Sequence, residues 1–318
     1  MKSYILIPRL HIHNATALSS TITVGVPAMT AWLGAVHALE RKVSAMEGLS
    51  FIRLPKVAVS FHKAVLQVFE NTDDHSKVII GTGNPLVLKT NDRPTTRSAA
   101  KDKVAPEAFG KGVTAERPSA IEEPRIDLQV SLLLEVQGLE GNNDKLLEQA
   151  VNRIIPCMKM AGGDIVGVPR VRLLYGEPED YSIINSLMPG YTLIARTDLL
   201  KQNRQNAEDG LDNLLDFLKI HYTLAEKEST EGAKWIGSRK ESGWLVPVAV
   251  GFKGLSELGR IPYQRDQSVP HRFCENVITL GEFKLVCRMN SADDMMWEYH
   301  VDPDEKLYLC VNNVKGDN

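Results

Sequence analysis

Two histidines near the amino terminus, His11 and His13, have a type and spacing that could do chemistry. Imidazole nitrogens bind transition metals, exchange protons near neutral pH and hydrogen-bond to anions. A metal site would need a third and a fourth ligand, and no H-x-x-x-H or H-E-x-x-H spacing accompanies the pair. Three interpretations stay open here: a metal-binding site, a catalytic pair, and a surface that binds a negatively charged ligand.

The catalytic interpretation requires a second base and a cation close to the scissile phosphate. A metal-independent ribonuclease could combine the pair with His37, His62 or Lys63, although nothing in their spacing demands it. The sequence contains no Rossmann fingerprint, Walker loop or nucleophile elbow. Its four cysteines form no C-x-x-C motif, which argues against a zinc site and a disulfide framework and favours a reducing compartment. We therefore expect no metal and no other cofactor.

The interpretation as an anion-binding surface follows from the residues around the pair. In an extended strand Arg9, His11 and His13 share one face. Small polar residues continue this face along the chain, namely Asn14, Ser19, Ser20 and Thr23. Single-stranded RNA is held by cations at phosphates, polar groups at base edges and stacking. The pattern therefore indicates an RNA surface, although aromatic residues are only 6% of the chain and no aromatic pair marks the strand.

Charge is distributed unevenly along the 318 residues. The chain has a net charge of -3, yet residues 1–63 contain seven Lys or Arg and only two acids. A basic segment on an otherwise acidic chain indicates one surface for a polyanion and other surfaces for other partners. Chance clustering of solvated side chains is the alternative.

The chain lacks the sequence features of a membrane or secreted protein. Pro8, Arg9 and His11 interrupt the first apolar stretch, so it does not have the layout of a signal peptide. No run approaches the ~18 apolar residues of a membrane span. We expect a soluble cytoplasmic protein with no membrane contact.

Two strands and two helices are predicted to position the polar residues. The first strand has apolar even positions from Tyr4 to Ile12, and the second, from Ile126 to Val136, has an apolar face opposite an open polar one. The polar face of this second strand carries Asp127, Gln129, Ser131 and Glu135. The helices are predicted over Thr30 to Glu47, with Thr30 as the N-cap, and over Asp144 to Met160, with Pro156 shortening the second.

The order strand, helix, strands, strand, helix predicts an α+β fold, a ferredoxin-like sandwich with an elongated insertion. Residues 90–124 are rich in Pro and Gly, and the overlapping stretch Lys89 to Lys103 is basic, which predicts a mobile basic loop. Further on, we predict a helix over Leu211 to Ile220, a buried strand over Trp244 to Phe252 and a loop over Gly254 to Phe273. Residues Asn290 to Glu305 contain six acids and no Lys or Arg.

Several dispersed stretches together resemble a known family. They are LIPRLHIHNATALSS with TVGVPAMTAWLGAVHALERKV after it, VSLLLEV, MKMAGGDI, PGYTLIAR, GWLVPVAVGF and RFCENVITLGEF. The chain resembles the Cas-five-type (Csy-two) subunit of type I-F CRISPR surveillance complexes, a member of the repeat-associated mysterious proteins. The resemblance implies a modified RNA-recognition-motif domain over residues 1–165, with a thumb-like insertion at about 64–125. It also implies a mixed α/β C-terminal extension over 166–318 that contacts partners.

The resemblance further implies a noncatalytic role in antiviral defence. Such a subunit caps the 5′ handle of the CRISPR RNA, pairs with the large subunit, contacts the adjacent backbone subunit and meets target DNA only indirectly. Gly162 and Gly163 correspond to the glycine-rich loop of this class, although such turns more often only cap a helix. The remaining candidate contacts are His37 and Arg41 on the first helix, and Arg272 and Asn276 in RFCEN, with packing at the core edge as the alternative for the last two.

Two other functions stay open. The chain could be a metal-independent endoribonuclease that processes CRISPR repeat RNA, as some relatives of the class do. It could also be a protein-bridging module without RNA contact.

Overall fold

A computed structural model gives the fold of residues 1–79, 82–83, 87–90, 103–104, 113–116, 120–121, 123–139, 143–225 and 234–312. The chain forms two compact units, one of Met1–Val65 with Ile126–Asn318 and the other of Leu66–Arg125. The smaller unit overlaps in sequence the predicted insertion at about 64–125, whose assignment as a thumb stays a prediction. The predicted division at residue 165 stays a prediction, and the predicted loop over 90–124 lies largely outside the described residues.

The larger unit mixes helices with long strands. Its helices are α1 Met29–Ser44, α2 Asp144–Ile154, α3 Tyr181–Asn185, α4 Thr197–Asn203 and α5 Gly210–Leu218. Its strands are β1 Lys2–Thr16, β2 Lys56–Leu66, β10 Arg125–Val136, β11 Lys159–Met160, β12 Gly163–Gly167, β13 Arg172–Gly176, β14 Tyr191–Ala195, β15 His221–Ala225, β16 Lys234–Ser238, β17 Trp244–Gly254, β18 Cys274–Leu285, β19 Trp297–Asp302 and β20 Leu307–Asn312. This composition fits the α+β class predicted from the sequence.

The smaller unit contains short antiparallel pairs. Its strands are β3 Val68–Glu70, β4 Lys77–Ile79, β5 Thr82–Gly83, β6 Val87–Thr90, β7 Lys103–Val104, β8 Val113–Glu116 and β9 Ala120–Ile121. β3 pairs with β4, β5 pairs with β9, and β8 lies between β6 and β7.

Both predicted N-terminal helices are present, with different ends. α1 buries Trp32, Leu33, Val36, Leu39 and Val43, as the helical spacing requires. The prediction of Thr30 as N-cap is wrong, because Thr30 lies inside the helix and Ala28 occupies the cap without a side-chain bond. α2 ends at Ile154 and continues as a short 3₁₀ turn that contains Pro156, so the shortening by proline is confirmed.

Ten strands of the main sheet lie in the order β11-β12-β1-β10-β2-β14-β18-β17-β20-β19, and β13 also pairs with β1. β19 pairs back to β2 through Trp297 and Val57. Six strands from β2 to β19 therefore close into a ring. β2 belongs both to this ring and to the four-stranded part of the sheet formed by β12, β1, β10 and β2.

The single apolar face predicted for the first strand is incomplete. Ile5 and Ile7 are as buried as Tyr4 and Leu6, because β1 is an interior strand covered on both faces over this stretch. On one face of β1, Tyr4 and Leu6 belong to a hydrophobic core cluster. Its other members are Ala58, Leu133, Ile183, Ile184, Leu187, Ile194, Val286, Met289, Ala292, Met295 and Met296. The polar face predicted for β10 is likewise only partly open.

Within the described part of the chain, no helix combines the length and the hydropathy needed to cross a bilayer.

Candidate nucleic-acid interface

An open groove of about 470 Å³ crosses the four-stranded part of the sheet at the polar end of β1. It is lined by His11, Ile12 and His13 of β1, Asp127, Leu128 and Gln129 of β10, Lys63 and Val65 of β2, and Val166 of β12. We call this the four-strand groove. Both histidines are exposed, whereas the intervening Ile12 is buried, so the predicted alternation holds at this end of the strand.

A row of side chains from β10 binds the polar end of β1. Asp127 Oδ1 accepts hydrogen bonds from His13 Nδ1 at 2.8 Å and from the Asn14 backbone N–H at 2.9 Å. The amide of Gln129 lies 2.6 Å from His11 Nε2 and donates to it. The two imidazoles are therefore oriented by neighbouring side chains before any ligand binds, which lowers the entropic cost of binding.

The next residue of this row, Ser131, is buried and connects three strands. Its Oγ accepts from the Arg9 backbone N–H at 3.0 Å and donates to His62 Nε2 at 2.6 Å. His62 Nδ1 then donates to the Pro189 carbonyl oxygen. Both ring nitrogens of His62 are thus used inside the protein, in an arrangement that suits the neutral imidazole.

Burial lowers the pKa of His62, and the nearby charge of Arg9 lowers it further. Unfolded histidine titrates near about pH 6.5, so below that pH the unfolded chain binds this proton more readily than the folded chain. The contribution of His62 to stability is therefore complete above about pH 6.5 and declines as the pH falls through the lower folded pKa.

We expect His62→Gln to reduce the loss of thermal stability that the protein shows between neutral and mildly acidic pH. Differential scanning calorimetry across this range is the measurement, with the exposed His300 changed to Gln as the matched control. An equal slope of Tm against pH in wild type and His62→Gln would show that this imidazole does not cause the loss of stability at acidic pH.

Two backbone distortions mark the polar end of β1. Arg9 has φ +47° and Asn14 has φ +56°, conformations that non-glycine residues adopt rarely. They interrupt the regular alternation of an extended strand, as bulges do. The alternation of even and odd positions between the two faces is therefore not continuous along the whole of β1.

The glycine turn lies beside this end of β1, as a β-hairpin turn rather than a helix cap. Ala161 and Gly162, with φ +50° and +78°, connect β11 to β12, a pattern typical of a two-residue type I′ turn. The Thr16 N–H donates to the Ala161 carbonyl oxygen at 2.9 Å. β12 pairs with β1 through His13 and Asp164, so Gly162 and Gly163 flank the four-strand groove.

The remaining polar residues of the opening segment mainly bind one another. Thr23 Oγ1 lies 2.6 Å from Ser20 Oγ and 2.8 Å from Ser19 Oγ. Ser20 and Thr23 are buried, with 5% and 7% of their surfaces exposed. Sequence spacing could not show this, because the turn that pairs these hydroxyls is set by the Ala17 carbonyl and the Gly25 N–H. Their assignment to RNA stays a prediction.

His37 and Arg41 are exposed on α1, and the structure does not bring His37 to the four-strand groove. His37 lines a separate groove of about 270 Å³ with residues of the helix, the following loop, β19 and β20. The structure therefore does not assemble His37 with His11 and His13 as a catalytic set.

Arg272 and Asn276 lie at the loop end of the β17–β18 hairpin. Asn276 is exposed and pairs with Phe252, whereas Arg272 is half-buried beside Gly254. Neither lines the four-strand groove. Asp127 and Gln129 do line it, and they are functional candidates that the sequence placed on a polar strand face without assigning them a ligand.

Within the described residues, no three His, Cys, Asp or Glu side chains lie close enough together to hold a metal ion.

Fold and groove define a mixed α/β protein with a preformed polar groove on an open part of its sheet. Comparison with known proteins specifies the family. The family model described as CRISPR-associated protein (Cas_Csy2) matches residues 5–310. A protein of Pseudomonas aeruginosa (strain UCBPP-PA14), described as CRISPR-associated protein Csy2, is 32% identical over 338 aligned positions, which cover 96% of this chain and 94% of that protein. The chain belongs to the Csy2 family of CRISPR-associated proteins, the family of the type I-F Csy complex.

Proposed function

We propose that this chain is the noncatalytic subunit that binds and caps the 5′ handle of the CRISPR RNA in a type I-F surveillance complex. The observation that carries the proposal is the four-strand groove, an open sheet surface with histidine, lysine and amide groups on three adjacent strands. Single-stranded RNA is commonly bound on such sheet faces, where unstacked bases meet hydrogen-bonding side chains. Family membership supplies the RNA that such a groove would meet.

The strand order supports a modified ferredoxin-like or RNA-recognition-motif fold for the four-stranded part of the sheet. In chain order the elements are β1, α1, β2, β10, α2 and β12, which is the βαββαβ arrangement. In space the strands lie in the order β12-β1-β10-β2, with the first and third strands of the motif in the centre. The unit of Leu66–Arg125 falls between the second and third of these strands, where we place the thumb-like insertion.

The placement of the histidines supports a role without catalysis. General acid–base cleavage of RNA requires a base and an acid on either side of one phosphate. Lys63 lies in the four-strand groove and supplies a cation there, but neither candidate base is free to join it. His37 lines another groove, and both nitrogens of His62 are engaged by Ser131 and Pro189. This leaves His11 and His13 as neighbours on one strand, each already oriented by a β10 side chain, which suits hydrogen bonding to RNA.

Partners follow from family membership and charge. A subunit of the Csy complex has protein neighbours, and we assign to this chain the large subunit and the adjacent backbone subunit, with target DNA reached indirectly through the complex. In the acidic segment from Asn290 to Glu305, Asp293 pairs with Lys2 and Glu298 with Lys56. The exposed acids near its end, Asp304 and Glu305, are the ones that we assign to a basic protein surface.

Changing His11 and Lys63 together to Ala is expected to weaken binding of handle RNA about tenfold. Both side chains line the four-strand groove, and loss of one phosphate contact also lowers the slope of log affinity against log salt by about 0.7. Fluorescence anisotropy of the full-length chain over a salt series measures both effects. The exposed Lys201, changed to Ala, is the matched control.

Unchanged affinity and salt slope in the double variant would contradict the groove assignment. The same RNA, analysed on a denaturing gel, tests the absence of catalysis. Cleavage by the wild-type chain that is lost in His11→Ala would instead establish the endoribonuclease.

A further inference from the structure

The long connection from β17 to β18 is an ordered loop rather than a slack one. The Leu255 N–H donates to the Phe273 carbonyl oxygen at 2.8 Å, and Gly259 and His271 exchange hydrogen bonds of 2.9 and 2.7 Å. Nearer the tip, the side chain of Gln264 accepts from the Ile261 N–H at 2.8 Å and donates to the Asp266 carbonyl oxygen at 2.6 Å. The tip is therefore held in one conformation by several independent bonds.

Tyr263, at this tip, combines full exposure with an unfavourable backbone conformation. It follows Pro262 in a turn and has φ +62°, the pattern of a type II turn, in which glycine is the preferred residue. A bulky side chain in this conformation is a genuine outlier. Its ring is fully exposed to solvent, so no packing in the described protein compensates for the strain. Such outliers are typical of positions where the side chain has a function.

The charges around Tyr263 favour an anionic ligand. Arg260 and Arg265 flank the turn, are exposed, and form no ion pair with any described residue. The acids of the loop are occupied, since Glu257 pairs with Lys306 and Asp266 accepts two hydrogen bonds from Ser268. An exposed aromatic ring, flanked in sequence by two unpaired arginines, is the combination that binds single-stranded nucleic acid.

We propose that Tyr263 stacks on a base of single-stranded nucleic acid while Arg260 and Arg265 contact its phosphates, at a site separate from the four-strand groove. Protein interfaces are also enriched in Tyr and Arg, so a protein partner is the alternative that the test must separate. A polyanionic strand is favoured because the cations of the loop are unpaired among the described residues while both of its acids are engaged. The inference rests on the proposal that this chain binds nucleic acid, and it adds a second contact to it.

Tyr263→Gly separates function from folding. Glycine relieves the positive φ, so the Tm of the variant is expected to equal or exceed that of wild type, while affinity for single strands falls about tenfold through loss of one stacking contact. Tyr263→Phe keeps the ring and should bind as wild type. Tyr181, which is 71% exposed on α3, is changed to Ala as the control and should have no effect.

Binding of fluorescein-labelled oligo-uridine and oligo-deoxythymidine to the full-length chain gives the readout. If Tyr263→Gly loses affinity for oligo-uridine alone, the natural ligand is the guide RNA. If it loses affinity for both oligonucleotides, the site binds any single strand, including target DNA. Either result supports the site. Replacing both arginines with Gln should also lower the salt slope by about 1.4.

Wild-type affinity of Tyr263→Gly for both strands would overturn the inference, and so would loss of a protein partner with strand binding intact. If Tyr263→Gly binds as wild type but the His11 and Lys63 double variant binds handle RNA more weakly, only this second site is refuted and the proposed function stands. If neither variant binds more weakly than wild type, the proposed function is refuted as well.

Discussion

Gly163→Ala is expected to lower the free energy of unfolding by about 2–3 kcal/mol, the cost of overpacking where the backbone cannot move away. A Cβ at this position would lie 2.7 Å from both the Ala15 backbone nitrogen and the His13 carbonyl oxygen. These atoms belong to the ladder between β1 and β12, so the added methyl group separates the two strands. Urea unfolding followed by circular dichroism measures the loss.

Gly25→Ala is the matched control, because a Cβ there meets nothing within 4 Å. We expect it to unfold within about 0.5 kcal/mol of wild type, as surface changes usually do. Equal stability of the Gly163→Ala variant and wild type would contradict the close approach of β12 to β1, and with it the position of the glycine turn beside the four-strand groove.

Lys2→Met is expected to destabilise the protein by a similar amount, about 2–3 kcal/mol, through a charge left without its partner. Lys2 Nζ lies 3.2 Å from Glu135 Oε2 and 2.8 Å from Asp293 Oδ1. Burial lowers the pKa of Lys2, but the hydrogen bonds to Asp293 and Glu135 outweigh it and raise the pKa overall. Glu135 is the buried member, with 8% of its side chain exposed, so it carries most of the penalty.

The double variant Lys2→Met with Glu135→Leu should recover most of this loss, since it removes the unpaired charge as well. Lys159→Met breaks a pair of exposed residues, Lys159 with Asp164, and should cost much less, because solvent screens exposed ion pairs. Thermal unfolding of the three variants under one buffer condition decides between a buried ionic network and an incidental contact. A Lys2→Met cost no larger than that of Lys159→Met would rule out the network.

Local periodicity predicted the elements that carry the groove. Alternating apolar residues predicted β10 to within one residue, and helical spacing predicted most of α1. The exposure of His11 and His13 follows from the same alternation. Strand and helix periods are properties of the chain itself, so they can be detected without knowing what packs against each element.

Contacts between segments that are distant in sequence determine which polar residues are buried and where α1 lies, and local patterns could not predict these. Ser131 and Glu135 were predicted on an open face, yet both are buried because their partners, His62 and Lys2, come from other strands. His37 was paired with His11 as a possible base, but the path of α1 takes it to another groove. The partners of Ser131 and Glu135 are 69 and 133 residues away along the chain, separations that no periodicity encodes.

Photo-crosslinking of the assembled Csy complex, with 4-thiouridine placed in the 5′ handle of its CRISPR RNA, tests the central claim most directly. We predict that mass spectrometry will find handle adducts on β1 and β10 of this chain, at or next to His11, His13 and Gln129. Handle adducts confined to other subunits, or to parts of this chain remote from the four-strand groove, would contradict it.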